Sequence, residues 1–314
     1  MNKVLILLGP TAIGKTGASI LLAKEIGTEI ISADSMQIYS SMDIGTAKVT
    51  VEERSLIRHH MVDIVSPKES FSAGKYIEAI IPIIKDLHIR GKIPIITGGT
   101  GLYIKAITRG IFSGPSADWT LREELLSMEE AGPGSLYACL IKLDPETAGK
   151  IDRNDIRRLV RAVEVCLKTN EKMSMLKETL TNPLPYSFIK IGLTRDRADL
   201  YGIINRRVDA MIRAGLLEET EKLLQMGPDR TPLQAIGYRE IALHLKGEIP
   251  LNEAIRLIKR NTRRYAKRQF TWFKKEEDII WTDVTGITDS YGIYRKLRAV
   301  LEKSHPEFFG QGGH

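Results

Sequence analysis

The chain has 314 residues, 43% of them hydrophobic and 27% charged, enough for one large or two modest soluble globular domains. No apolar run reaches the roughly 20 residues that span a bilayer, and Cys139 and Cys166 lack the CxxC or CxH spacing of a zinc site, with a disulfide not expected either. The net charge of +7 is modest but unevenly placed.

Lys3 to Leu8 (KVLILL) reads as a buried strand that runs directly into a glycine-rich motif. That start leaves no room for the apolar core and cleavage site of a secretory leader, so the expected compartment is the cytoplasm. A helix is expected over Gly14 to Ile26, then a second strand over Glu29 to Ser32, ending at Ala33-Asp34-Ser35. Ala73 to Arg90 has helical spacing despite Pro82, and Lys92 to Thr97 (KIPIIT) is a further buried strand closed by Gly98-Gly99-Thr100-Gly101. Strands alternating with helices predict an α/β fold, a parallel sheet flanked by helices. Ligands bind such sheets at the carboxyl ends of the strands, where three of the motifs fall.

From about Ser113 the character changes to loop and then to polar helix, with turns at Gly132-Pro133-Gly134 and Asn182-Pro183. Asp155 to Leu167 forms an amphipathic helix with Arg157, Arg158 and Arg161 on its basic face. Phe188 to Leu193 returns to strand, and Leu200 to Met226 is helical, stopped by Gly227-Pro228. The expected organisation is a core of residues 1–114 and 190–300, a smaller, mostly helical insertion over 115–189, and a tail over 301–314 whose final GQGGH is disordered. Ile255 to Lys275 carries nine Lys or Arg and no acid; elsewhere 37 basic residues face 39 acidic ones. Nearly all the positive excess thus sits in one segment, the footprint of a nucleic-acid binder or, more simply, a solvated helix face.

Gly9-Pro10-Thr11-Ala12-Ile13-Gly14-Lys15-Thr16 fits G-x-x-x-x-G-K-[ST] between a strand and a helix. The backbone amides of such a P-loop cradle a polyphosphate, Lys15 adds a point charge, and the Thr16 hydroxyl can ligate Mg²⁺. A nucleotide is the first ligand to consider. However, the strand before Gly98 ends without the acid that holds Mg²⁺ in P-loop NTPases. The acid stands instead at Asp34, as a base for an accepting group or as a helix N-cap. A metabolite kinase and another pyrophosphate-handling transferase both remain open on these residues.

Further blocks follow in order: Asp34-Ser35-Met36-Gln37-Ile38-Tyr39, Asp43-Ile44-Gly45-Thr46-Ala47-Lys48, His59-His60-Met61-Val62-Asp63-Ile64 and Gly98-Gly99-Thr100-Gly101-Leu102-Tyr103. Ala235-Ile236-Gly237-Tyr238-Arg239-Glu240 and Thr262 to Phe273 complete the series. With them the chain resembles the bacterial tRNA dimethylallyltransferase family from the P-loop to about Trp272. It departs slightly at His59-His60-Met61-Val62-Asp63, where the family more often has Leu-Ile between the histidines and the Asp. The zinc-finger extension of eukaryotic relatives is absent.

The resemblance implies that the P-loop holds dimethylallyl diphosphate rather than a nucleotide, and that the acceptor is N6 of adenosine 37, beside the anticodon of tRNA. It implies Asp34 as general base, Gln37 as a bidentate partner of the flipped adenine, and Thr100 beside that base. Lys15, Arg207 and Thr16 with Mg²⁺ would neutralise the pyrophosphate. For the tRNA anticodon stem-loop it implies Asp34, Ser35, Met36, Gln37 and Thr100; Arg122, Arg157, Arg158, Leu159, Val160 and Arg161; Ile236, Gly237, Tyr238 and Arg239; and Arg263, Lys267 and Arg268. His59 and His60 receive no role, and a monomer without membrane contact is expected. A P-loop small-molecule kinase and a non-catalytic RNA-binding protein are the competing readings; intact Lys15, Thr16 and Asp34 weigh against the second.

Overall fold

The computed structural model describes residues 2–112 and 114–309. Six parallel strands form one sheet: β1 (Lys3–Leu8), β2 (Ile30–Ala33), β3 (His59–His60), β4 (Ile95–Gly98), β5 (Ser187–Thr194) and β6 (Ile279–Asp283). Their order across the sheet is β3-β2-β4-β1-β5-β6. β1 is fully buried from Val4 to Leu8, as its unbroken apolar run requires in a sheet covered on both faces. β3 and β6 are additions to the sequence reading. β3 is only two residues long, and β6 pairs its edge with β5 from Lys190↔Ile279 to Thr194↔Asp283.

Register brings the motifs together. Gly98 is level with Leu8 on one side and with Ala33 on the other. The P-loop, Asp34 and the Gly98–Gly101 turn therefore leave three adjacent strands at the same height. A Cβ on Gly98 would lie 2.2 Å from the Ala33 carbonyl oxygen, so only glycine permits this approach.

The chain divides into two compact units, residues 1–104 with 185–314 and residues 105–184. The insertion thus begins ten residues earlier and ends five earlier than the composition change suggested. The reason is that the helix Gly101–Arg109 runs on past the site turn, and Tyr186 already packs beside His88, with ring centroids 5.3 Å apart. Residues 301–309 are not a tail: the helix Ser290–Ser304 runs into them, a short turn Pro306–Phe309 follows, and Phe308 is buried in the sheet's core. The GQGGH segment lies outside the described residues. Leu200 to Met226 is two helices, Arg197–Arg213 and Leu216–Gln225, broken where Gly215 takes a left-handed conformation (φ 101°). No helix among the described residues is long and apolar enough to cross a membrane.

The insertion packs its own core of Leu125, Leu136, Leu140, Leu159, Val160 and Val163. Glu164 is fully buried there. It accepts hydrogen bonds from the Asp118 amide at 2.8 Å, Arg122 Nε at 2.9 Å and Nη2 at 2.8 Å, and Arg161 Nη1 at 2.5 Å. Glu164→Ala would strand two guanidinium groups and an amide around a cavity, so this unit should lose about 3 kcal/mol of stability. Amide exchange of residues 105–184 checks this; protection equal to wild type would refute it.

Candidate functional site

Gly14, with φ at 99°, caps the helix Lys15–Glu25, and a Cβ there would lie 2.3 Å from Ile293 Cδ1. No acid occupies the helix's first turn, so its amides and positive dipole end are available to an anion. Lys15 folds back over the loop, donating from Nζ to the carbonyls of Gly9 and Pro10, both at 2.9 Å. Its side chain keeps a partly accessible surface, with the ammonium turned onto the loop's own carbonyls. Burial lowers its pKa to about 8; Asp34 opposes the shift and Arg207 adds to it.

Arg207, from the helix Arg197–Arg213, reaches the loop through Nη1, 3.4 Å from Thr11 Oγ1. Burial lowers its pKa as well, against the pull of Asp34. Two cations and one carboxylate are therefore gathered at the strand ends, a net positive charge suited to a polyanion.

Asp34 is not a helix cap. It directly follows β2 and closes a turn, its Oδ1 accepting from the Met36 amide at 2.9 Å and the Gln37 amide at 3.4 Å. Thr100 stands opposite: its Oγ1 accepts from the Ser35 amide at 3.0 Å, and its own amide donates to the Ala33 carbonyl at 3.1 Å. Tyr265, unassigned by the sequence, completes this wall, with its pKa pushed up to about 12 by burial and by Asp34.

Gln37 departs from expectation. Its Nε2 already donates to the carbonyls of Thr46 at 3.3 Å and Ala47 at 3.2 Å, so a bidentate grip on adenine would require releasing them. The loop it holds is fixed from below by Glu219, whose carboxylate accepts from the amides of Asp43, Ile44 and Gly45 and from the Tyr238 hydroxyl at 2.6 Å. Tyr238 and Gly237, expected at the RNA, are both buried; the Tyr238 hydroxyl serves Glu219 and the Gly237 amide donates to Glu240. The motifs around Gly45 and Tyr238 meet here: a Cβ on Gly45 would lie 2.4 Å from the tyrosine ring.

Other expected RNA residues separate by exposure. Leu159 and Val160 are buried in the insertion's core, because the helix Ile156–Thr169 turns that stripe inward. Arg122 and Arg161 are held by Glu164, and Arg263 donates to Asn205 Oδ1 at 2.6 Å. Arg157, Arg158 and Arg239 are exposed. Arg264, Lys267, Arg268, Thr271, Trp272 and Lys275 line an open groove of about 400 Å³ along the helix Leu251–Phe273. His60 Nε2 shares a hydrogen bond with Glu29 Oε2 at 2.7 Å, and Arg90 holds that carboxyl down to about 2, a structural role at the sheet edge.

Among the described residues no cluster of three or more His, Cys, Asp or Glu could hold a metal. The exposed Thr16 hydroxyl at the helix start is nevertheless a hard oxygen donor, suited to a Mg²⁺ that takes its other ligands from phosphate and water.

The family model described as IPP transferase matches residues 37–276. A tRNA dimethylallyltransferase of Thermodesulfovibrio yellowstonii is 52% identical over 313 residues, covering 96% of this chain and 99% of that protein. One from Acetivibrio thermocellus is 44% identical over 306 residues, covering 96% and 98%. Among solved structures, the full-length tRNA isopentenylpyrophosphate transferase of Bacillus halodurans superimposes with a TM-score of 0.70 at 40% identity, covering 98% and 99%. A eukaryotic dimethylallyltransferase acting on tRNA gives 0.77 at 30% identity, covering 97% of this chain and 79% of that one.

Proposed function

The chain belongs to the IPP transferase family, and on that premise we propose that it transfers the dimethylallyl group of dimethylallyl diphosphate to N6 of adenosine 37 in tRNA, releasing pyrophosphate. The observation that carries this reading is the meeting of a P-loop lysine with a lone carboxylate at the ends of neighbouring strands in register, with Arg207 reaching the same loop.

The adenine amine is a weak nucleophile because its lone pair is delocalised into the ring. The bond from the allylic carbon to the diphosphate oxygen breaks, the bond from N6 to that carbon forms, and one N6 proton must leave. Asp34 is placed to accept that proton. Lys15, Arg207 and the helix amides take up charge on the departing pyrophosphate, where fixed dipoles are most effective. Thr100 and Tyr265 shape the space beside Asp34. A bound Mg²⁺, held by the Thr16 hydroxyl, would supply further charge neutralisation at the same phosphates.

The anticodon loop is already single-stranded, so extruding its adenine is inexpensive. The groove beside Trp272 offers cations for phosphates and an aromatic face for a base. Arg157, Arg158 and Arg239 supply further phosphate contacts from exposed positions. Action on tRNA places the protein in the cytoplasm, and one chain carries every group invoked, in keeping with a monomer.

Incubating the protein with labelled dimethylallyl diphosphate, Mg²⁺ and unmodified tRNA should place label on adenosine 37. Phosphoryl transfer from ATP to a small molecule, with no label in any tRNA, would replace this reading with a kinase.

A further inference from the structure

The helix Leu251–Phe273 faces two ways. Its outer side bears the cations of the groove, and its inner side bears Gln269, of which 5% is exposed. Both ends of that amide are engaged. Oε1 accepts from the Thr11 amide in the P-loop at 2.9 Å, and Nε2 donates to the Gly99 carbonyl at 2.8 Å. One side chain thereby spans two loops that leave different strands, β1 and β4. The fit is close: a Cβ on Gly99 would lie 2.3 Å from Nε2. Thr11 is held from both sides, by Gln269 at its amide and by Arg207 at its hydroxyl. Its amide is thus withdrawn from the set that can meet a phosphate, which leaves the grip to the helix amides, Lys15 and Arg207.

We infer that Gln269 is a positioning residue for the pyrophosphate: it locks the Thr11 end of the P-loop against the Gly98–Gly101 turn, so that the remaining donors are set before the leaving group arrives. This rests on the transferase reading above. Preset donors are worth most where water is excluded, and Gln269, of which 5% is exposed, fixes the loop from its buried side. The same helix carries the groove's cations, so a shift of Lys267 or Arg268 would be felt at Gln269.

The test is calorimetric binding of inorganic pyrophosphate to the full chain, with Mg²⁺, for wild type, Gln269→Met and Gln269→Glu. Methionine keeps the length and loses both hydrogen bonds. Pyrophosphate affinity and the KM for dimethylallyl diphosphate should each worsen about tenfold, with tRNA affinity unchanged and the protein still folded at the assay temperature. Glutamate sets a carboxylate against the Gly99 carbonyl, but its protonated form restores one donor and one acceptor. Its affinity relative to wild type should therefore recover as pH falls from 8 to 6, a response that a purely structural residue would not give. A Gln269→Met protein with wild-type affinity overturns the assignment, as does a Gln269→Glu ratio that is flat with pH. If wild type labels tRNA in either case, only Gln269 is reassigned. If wild type neither binds pyrophosphate nor labels tRNA, the transferase reading fails and the assignment with it.

Discussion

Asp34→Asn should lower the rate of dimethylallyl transfer about a thousandfold while leaving tRNA affinity unchanged. Asparagine is the informative substitution because Asp34 has two tasks. Its Oδ1 holds the turn through the Met36 and Gln37 amides, and an asparagine oxygen can do the same. What asparagine cannot do is take the proton from N6. Alanine would lose the turn as well, and its effect would mix misfolding of the loop with loss of the base.

A second consequence of Asp34→Asn has to be separated from the first. The carboxylate favours the charged forms of Lys15 and Arg207, opposing their burial. Without it the Lys15 pKa falls below its present value of about 8, and near neutral pH the loop loses part of its positive charge. Measuring transfer at pH 6.5 with saturating dimethylallyl diphosphate restores the protonated lysine in both proteins. A deficit that persists there belongs to the missing base. Recovery to near wild-type rates would instead make Asp34 an electrostatic support, and the base would have to be sought elsewhere.

The parts of the site legible in the sequence share one property: their function is written in consecutive residues. Gly9 to Thr16 works through backbone conformation and a helix start, and Gly98 to Gly101 through a close approach only glycine allows. Asp34 follows a short apolar strand. The residues that hold these pieces together were not legible. Glu219 lies over 170 residues from the amides it caps, and Gln269 lies 258 from Thr11 and 170 from Gly99. A glutamate or glutamine inside a polar helix carries no local mark of such a partner.

Charge pattern misled in a related way. Arg122, Arg161 and Arg263 look like RNA contacts in a sequence, but each has an internal acceptor supplied by another stretch of chain. Tyr238 sits in a conspicuous motif, yet its ring serves Gly45 and its hydroxyl serves Glu219. In each case the residue type suggests a surface role, and the structure supplies an internal partner that no local pattern announces. β6 is harder to read because its apolar run is only Ile279-Ile280-Trp281, set between a charged segment and Asp283.

The affinity for pyrophosphate should fall as pH rises through about 8, and this second large effect follows from Lys15. In the free protein burial depresses the lysine pKa from 10.5 to about 8. A bound polyanion favours the charged ammonium and raises that value again, so binding takes up a proton. Below pH 8 the lysine is already protonated and affinity is at its plateau. Above it, each pH unit should cost up to about tenfold in affinity until the pKa of the bound state is passed. The ligand titrates too, so the quantity to follow is the ratio of wild type to Lys15→Arg, whose charge does not titrate in this range. A ratio that declines from pH 7.5 to 9.5 is the expected result, and a constant ratio would mean that Lys15 is fully charged throughout. Lys15→Met removes the charge altogether. It should cut transfer about a thousandfold yet raise stability by about 1 kcal/mol, because the folded protein no longer buries an ammonium against its neighbour Arg207. The sign of that stability change is the sharper outcome. A destabilised Lys15→Met protein would show that the hydrogen bonds to the Gly9 and Pro10 carbonyls outweigh the cost of burying the charge, and that the loop is held by its lysine even before any phosphate arrives.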